Sequence, residues 1–133
     1  MNFAFLVADL VSILRVGSKS HLSSINVQVH KYTSIILTLL YIEGFVARFR
    51  KLSLRQYRVD LKYHNGRAII TSVKIISKPS KRMYCTLAKL TLLVNNSNFS
   101  GFYILSTSKG LLTSDDCLFR YHVSGEIVLK IEF

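Results

Sequence analysis

Acidic residues, proline and tryptophan are scarce in this chain, which has seven Asp and Glu, one proline and no tryptophan among 133 residues. Against those seven acids stand 18 Lys and Arg, so the formal net charge is +11. This excess predicts a polyanionic partner, because it would repel a cationic one. Half of the residues are hydrophobic, which is enough to build a folded core.

Cysteine is also rare, and its two positions, Cys85 and Cys117, lie far apart without a CxxC or Cys/His spacing. This arrangement indicates neither a zinc site nor a disulfide framework. We therefore expect no bound metal and two buried or inert thiols in a reducing compartment.

Long apolar runs are missing as well. The uncharged run over residues 32–42 is too short to span a bilayer, and the one over residues 90–108 is interrupted by asparagines and Gly101. We expect no membrane helix and no membrane partner. The N-terminal segment has Asp9 in its apolar part and no basic start, so we expect neither a secretory signal nor an import peptide.

The sequence also lacks a catalytic pattern. The four histidines lie in separate segments, Cys85 has no activating neighbour, and Asp115 with Asp116 is better explained as a helix start. We therefore expect a protein that is not an enzyme, with no catalytic residues, no cofactor and no small-molecule substrate.

The middle of the chain is strongly basic. Between Phe45 and Leu92, twelve Lys and Arg accompany a single acid, Asp60, while the other segments contain six residues of each sign. So uneven a block favours a polyanion-binding surface over the alternative of an ordinary solvated basic face.

Hydrophobic periodicity predicts an α+β protein of two small lobes, with an N-terminal α-β-α-β-β lobe over residues 1–76. The first helix should end near Val16 and Gly17 and leave Arg15 exposed. The later elements are a strand Ile25–Val29, a helix Tyr32–Glu43 capped by Gly44, strands Phe45–Phe49 and Gln56–Tyr63, a turn His64–Gly66 and a returning strand Ile69–Ile76.

The C-terminal lobe, residues 77–133, should begin where the single proline, Pro79, breaks the pattern. It is predicted to be a small antiparallel sheet with one short helix, in which Leu87–Val94 is ambiguous. Its other elements are strands Arg82–Thr86, Gly101–Ser106 and Glu126–Phe133, a turn Asn95–Asn98 and a short helix capped by Thr113.

The most informative motif is Ser106, Thr107, Ser108, Lys109 and Gly110, at a predicted strand end. Three hydroxyls beside a cation can hydrogen-bond phosphates, ribose hydroxyls and base edges, which recognition of folded RNA requires. An ordinary polar turn would have a similar composition.

Several short segments occur in a recognisable order. They are Asp9–Arg15, Glu43–Phe45, Ser77–Pro79 with Arg82 and Tyr84, Leu105–Gly110, and Gly125–Glu126. Together they resemble the small-subunit ribosomal protein S8 family over almost the full length. The resemblance implies a component of the small ribosomal subunit that binds the central domain of its rRNA and supports assembly, with neighbouring ribosomal proteins as further partners.

The resemblance also implies where the RNA is held. In the second lobe the implied RNA-binding residues are the motif itself, Ser106, Thr107, Ser108 and Lys109, together with Lys78, Arg82, Tyr84 and Glu126. Arg15 matches a residue that faces RNA from the first lobe. The chain departs from the family pattern at Ser80 and Ser124, where glycine is usual, and over Cys117–Phe119, where the family has helix charges.

Two questions of role stay open in the sequence. The same surface would suit an RNA-binding regulator that acts on a messenger hairpin. Richness in Ile, Leu, Ser, Phe, Tyr and Asn, with little Ala and Pro, suggests an AT-rich organelle genome. We therefore expect the mitochondrial ribosome as the location, with a plastid or a bacterial cytoplasm as alternatives.

Overall fold

The computed structural model describes residues 3–78, 80–95 and 100–133 and divides the chain into two units, one ending at Thr71 and the other beginning at Ser72. The first unit contains two helices, a three-stranded antiparallel sheet of order β1-β3-β2, and a small hairpin. Its elements are α1 (Phe3–Lys19), β1 (Ser24–Gln28), α2 (Lys31–Ile42), β2 (Val46–Lys51), β3 (Gln56–Leu61), β4 (Tyr63–His64) and β5 (Arg67–Ala68).

The core of the first unit forms where the helices pack on the sheet. Helix α1 packs against β1 and α2, and α2 packs against β2. Alternate strand residues and one stripe of each helix are buried there, as amphipathic elements require. The buried side chains include Leu10, Leu14, Ile25, Val27, Ile36, Leu37, Leu40 and Val59.

Gly17 lies inside α1 and does not end it, so the predicted helix end at Val16 and Gly17 is wrong. A Cβ atom on Gly17 would lie 2.6 Å from Cγ2 of Ile25. The glycine is therefore needed for close packing of α1 on β1, and the helix continues to Lys19.

The predicted end of α2 is confirmed. Gly44 has a φ of +86°, its amide donates to the Tyr41 carbonyl at 3.1 Å, and the Phe45 amide donates to the Leu40 carbonyl at 2.9 Å. This pair of bonds is the Schellman motif, which favours glycine at the left-handed position.

The second unit is built on a four-stranded antiparallel sheet of order β6-β9-β7-β8. A helix and a π-helical segment accompany it. The elements are β6 (Ser72–Ile75), α3 (Leu87–Val94), β7 (Gly101–Thr107), β8 (Gly110–Thr113), the π-helical segment Asp116–Tyr121 and β9 (Glu126–Glu132). The α+β class with two lobes is thus confirmed.

The strand predicted over Ile69–Ile76 does not return onto β3. The turn Asn65–Gly66 closes only the short β4–β5 hairpin, whereas β6 pairs with β9 from Ser72↔Glu132 to Ile75↔Leu129. Since β6 belongs to the second sheet, the structural division falls five residues before the boundary expected at 76/77.

Other local assignments in the second unit also change. Leu87–Val94 is a helix, because Thr86 Oγ1 accepts from the Lys89 amide at 3.3 Å and caps it. Thr113 Oγ1 accepts from the Asp116 amide at 3.3 Å, as its predicted cap role requires. Residues 82–86 form no strand, and the predicted Asn95–Asn98 turn lies mostly outside the described residues, as does Pro79.

Both cysteines are buried free thiols, as expected. They share a hydrophobic cluster with Leu90, Tyr103, Leu105 and Ile127. Burial, with the nearby Asp116 charge and Cys85, raises the pKa of the Cys117 thiol to about 11. Within the described ranges, no helix has the length and apolarity needed to cross a membrane.

Candidate RNA-binding site

The Ser106–Gly110 motif forms a tight hairpin between β7 and β8, which we call the hydroxyl hairpin. Ser106 and Thr107 end β7, and Gly110 begins β8 with a φ of +103° and pairs with Thr107. Ser108 and Lys109 form the exposed turn between them. Strand β8 was not predicted from the sequence, so the structure places the motif in a β7–β8 hairpin where only a strand end was expected.

The Thr107 hydroxyl is engaged within the hairpin. Thr107 Oγ1 donates to the Gly110 carbonyl at 2.9 Å and accepts from the Lys109 amide at 3.1 Å. Its single proton is therefore used internally, and toward a ligand Thr107 can act only as an acceptor. Ser108 keeps an exposed hydroxyl at the turn, so the two neighbouring side chains have different capacities.

Strand pairing aligns Tyr84, Glu126 and Ser106 in one row across the sheet. Tyr84 forms an antiparallel bridge with Glu126, and Glu126 pairs directly with Ser106. Directly paired residues project from the same face of a sheet. Tyr84 is 66% exposed, so its ring lies on the surface, with Glu126 between it and Ser106 of the hydroxyl hairpin.

The opposite face anchors this row. Cys85, Ile127 and Leu105 are the next residues along the three segments, and all three are buried in the hydrophobic cluster. Two backbone hydrogen bonds join the segment around Tyr84 to β9 and the residue before it. The Cys85 amide donates to the Gly125 carbonyl at 3.1 Å, and the Ile127 amide donates to the Met83 carbonyl at 2.9 Å. The backbone that carries the polar row is therefore held by the buried hydrophobic cluster.

Glu126 organises the cations and hydroxyls around it. Its Oε1 accepts hydrogen bonds from Ser77 Oγ and, at 3.0 Å, from Arg82 Nη1. Ser77 Oγ in turn accepts from the Met83 amide at 3.2 Å. The Glu126 side chain is only 14% exposed, whereas that of Arg82 is 46% exposed. The carboxylate thus holds the guanidinium at the surface.

The pKa of Glu126 reflects these contacts. Burial by itself raises the pKa of the carboxyl, but the hydrogen bonds from Ser77 and Arg82 and the Arg82 charge outweigh it and hold the pKa below its ordinary value. Glu126 is therefore ionised at neutral pH.

Gly125 brings the hydroxyl hairpin close to the strand that carries Glu126. A Cβ atom on Gly125 would lie 2.2 Å from the Ser106 carbonyl oxygen and 3.2 Å from Cα of Thr107. Any other residue would push the two backbones apart, so this glycine fixes the spacing between the hairpin and the row.

The remaining predicted residues have clear positions. Lys78 is exposed and forms a tight backbone pair with Lys81, with reciprocal amide-to-carbonyl distances of 3.0 Å, directly after Ser77. Arg15 is exposed on α1, as expected, and belongs to the first unit. The structure therefore gathers eight of the nine predicted RNA-binding residues in the second unit.

Ser77 was not among the predicted site residues, although it bonds Glu126 and supports Met83. It stands beside Lys78 in a segment that carried the resemblance, but its contact with a residue 49 positions away has no local sequence signal. Among the described residues, no group of three or more His, Cys, Asp or Glu side chains is placed to hold a metal.

The sequence of the chain is similar to that of a known protein family. The family model described as "Ribosomal protein S8" matches residues 6–131. Small ribosomal subunit protein uS8 of Ehrlichia canis is 33% identical over 135 residues, which cover 98% of this chain and 99% of the relative. The uS8m protein of Acanthamoeba castellanii is 32% identical over 126 residues, 95% of this chain and 98% of the relative.

Proposed function

This chain belongs to the ribosomal protein S8 family, and we propose from that premise that it is a component of the small ribosomal subunit. It binds the central domain of the small-subunit rRNA and supports assembly of that domain. Members of the family are structural proteins, so the expectation that the chain is not an enzyme is confirmed. Its other partners are neighbouring small-subunit proteins.

The row Tyr84–Glu126–Ser106, which joins the hydroxyl hairpin at Ser106, is the observation that carries this proposal. An exposed tyrosine ring can stack on an unpaired base, and serine hydroxyls can bond ribose 2′-hydroxyls and base edges. Such groups on a rigid sheet suit an irregular RNA helix, whose shallow groove and unstacked bases present those partners.

Charges around the row support the same role. Arg82 is held in one place by Glu126, so it can bond a phosphate with little loss of side-chain freedom. Lys78 and Lys109 are exposed cations that can neutralise further phosphates. Arg82 also offsets the Glu126 charge, which would otherwise repel the RNA backbone.

Glu126 itself has a specific capacity. Both of its described hydrogen bonds use Oε1. Within the part of the chain that the structure describes, Oε2 has no donor, and we assign it to a 2′-hydroxyl or an exocyclic amine of the RNA. Thr107, with its proton engaged, accepts a bond, and Ser108 donates one. Arg15 contacts RNA from the first unit.

We propose the mitochondrial ribosome as the location, with a plastid or bacterial ribosome as the alternatives. The amino-acid composition favours an AT-rich organelle genome, and the relatives include both a uS8m protein and bacterial uS8 proteins of similar identity.

Sedimentation and crosslinking test the proposal directly. The tagged chain should sediment with the small ribosomal subunit in its native cells, and crosslinks from the hydroxyl hairpin should map to the central domain of the rRNA. A chain that stays at the top of the gradient, or that crosslinks to messenger RNA alone, would contradict it.

A further inference from the structure

Helices α1 and α2 pack against the three-stranded sheet of the first unit, and the side chains on the face away from the core are exposed or half-buried. Along β1 and β3, the buried residues Ile25, Val27, Val59 and Leu61 alternate with residues that are exposed or half-buried. The alternate residues point away from the core, as the pleat requires. They form the outer sheet face, which includes Ser24, Asn26, Arg48, Arg50, Arg58 and Asp60.

Strand register arranges this face in two rows. Asn26, Arg58 and Arg50 lie directly across the three strands from one another, and Ser24, Asp60 and Arg48 form the next row. Three arginines therefore surround one aspartate. No large apolar side chain belongs to either row.

The aspartate does not neutralise all three arginines. Arg48 Nε lies 2.5 Å from Asp60 Oδ2, and Arg58 Nε lies 3.9 Å from Asp60 Oδ1. Among the described residues Arg50 has no ion pair, and it stands directly opposite Arg58. Like charges in directly opposed positions destabilise a sheet. The positive charge of Arg50 opposite Arg58 is therefore not explained by the stability of the fold.

A bound anion would relieve that repulsion. Guanidinium groups fit phosphate oxygens with paired hydrogen bonds. Adjacent strands lie about 5 Å apart, so the flexible side chains of Arg50 and Arg58 can reach one phosphate or two successive ones. Protein interfaces are also enriched in arginine, but they place apolar and aromatic side chains at their centre, and neither row of this face contains one. The outer sheet face therefore fits a polyphosphate backbone better than an acidic protein.

We propose that the outer sheet face is a second RNA-contacting surface, which binds backbone phosphates without regard to base sequence through Arg50, Arg58 and Arg48. It lies in the first unit and uses none of the residues of the hydroxyl hairpin. The proposal goes beyond the rRNA recognition described above, because it assigns sequence-independent affinity to a separate set of side chains.

The salt dependence of binding to an unrelated RNA duplex tests this proposal on the whole chain. The probe is a duplex of about 20 base pairs, titrated over a range of salt concentrations. Arg50→Gln with Arg58→Gln should weaken binding ~10- to 50-fold near 0.1 M salt and reduce the slope of log K against log salt by about two, one for each phosphate contact.

Three further variants separate the surface from total charge and from misfolding. Lys19→Gln with Lys31→Gln removes the same charge from exposed helix positions of the same unit and should change the slope by less than one. Arg50→Lys with Arg58→Lys keeps the charge and should retain most of the slope. Asp60→Asn removes the negative charge from the two rows and should strengthen duplex binding several-fold, a gain that a damaged fold would not give.

Two outcomes would overturn the proposal. Equal losses in the Arg50/Arg58 and Lys19/Lys31 glutamine variants would show that only net charge matters. An unchanged RNA slope with reduced incorporation into the small subunit would show that the face binds a protein. Failure of the proposed rRNA recognition is distinguishable, because it would appear in the ratio of cognate to scrambled RNA binding, which the Arg50/Arg58 variants should leave intact.

Discussion

Arg82 Nη1 donates a 3.0 Å hydrogen bond to Oε1 of Glu126, 44 positions further along the chain. The bond holds an exposed cation on the segment that carries the exposed Tyr84, next to Glu126, the first residue of β9. A carboxylate therefore organises the surface that we propose binds RNA, and substitution of Glu126 measures the contribution of that carboxylate.

Glu126→Gln should weaken binding of the cognate rRNA fragment, because a neutral amide orients Arg82 less firmly and accepts hydrogen bonds less strongly. The expected loss is about 1–3 kcal/mol in binding free energy, measured by filter binding against a scrambled RNA. Glu132→Gln is the matched control, since Glu132 lies on the same strand and pairs with Lys130 at 3.1 Å. Loss of one negative charge by itself would strengthen RNA binding, so an equal loss in the control would assign the effect to a general disturbance of β9 instead of to the contact with Arg82.

The stability contributed by ionised Glu126 should depend on pH. Its pKa in the folded protein is lowered, so the contribution is fully present above the carboxyl's unfolded pKa and is lost as the pH falls through the folded pKa. The difference in free energy of unfolding between wild type and Glu126→Gln should therefore narrow on acidification from neutral pH. Urea titrations at a series of pH values measure it, and a difference that widens in acid would refute the assignment.

Ser108→Ala and Thr107→Ala should separate recognition from hairpin structure. Ser108→Ala removes an exposed hydroxyl and should weaken cognate RNA selectively by about 1–3 kcal/mol, with an unchanged melting temperature. Thr107→Ala removes two internal hydrogen bonds and should lower the free energy of unfolding by about 1–2 kcal/mol.

Thr107→Ser is the control for the hairpin, because it keeps the hydroxyl and should restore most of the stability. Calorimetry and RNA titration on the same preparations give both quantities. A Ser108→Ala variant that loses affinity for every RNA alike would make Ser108 a positioning group and not a reader of the cognate RNA.

Gly125→Ala should damage both stability and RNA binding. The added methyl would lie 2.2 Å from the Ser106 carbonyl, so the hairpin or β9 must move. We expect a loss of about 1–3 kcal/mol in unfolding free energy, as for other overpacked sites. Ser124→Ala, one residue earlier, should be close to neutral in thermal melts, and a neutral Gly125→Ala would mean that the close approach is not required.

Fragments test the extent of the C-terminal lobe. A fragment over residues 72–133 should fold more stably than one over 77–133, because only the longer one keeps β6 paired with β9. Circular dichroism melts compare them directly. Equal melting behaviour would show that β6 is dispensable to the second sheet, and RNA discrimination is then measured on whichever fragment folds.

Elements with local signals were predictable from the sequence. Gly44 ends α2 because a left-handed residue is needed there, and the Asn65–Gly66 pair closes a two-residue hairpin. The composition also indicated buried thiols, and the motif order indicated the family. Each of these signals acts over a few residues or over the whole chain.

Nonlocal pairing was the part that the sequence left undetermined. The alternating pattern of β6 suits either sheet, and only the contact with β9 decides between them. Gly17 has the local signal of a helix end, and only its close contact with Ile25 explains why a glycine stands inside α1. The hydrogen bond between Ser77 and Glu126 likewise has no local signal. Eight of the nine predicted RNA-binding residues lie in the second unit and Arg15 lies in the first, and the roles of all nine stay predictions.

Strand β9 pairs with both β6 and β7 and contributes Glu126, so it completes the second sheet and the row together. A ribosome makes a chain from its N-terminus at about 5–20 residues per second, so β6 and the hydroxyl hairpin are synthesised seconds before β9. During that interval the hydrophobic cluster that contains Leu105 lacks Ile127. A nascent chain arrested before Gly125 therefore has no assembled row, and translation must pass this strand before the protein is competent to enter a subunit.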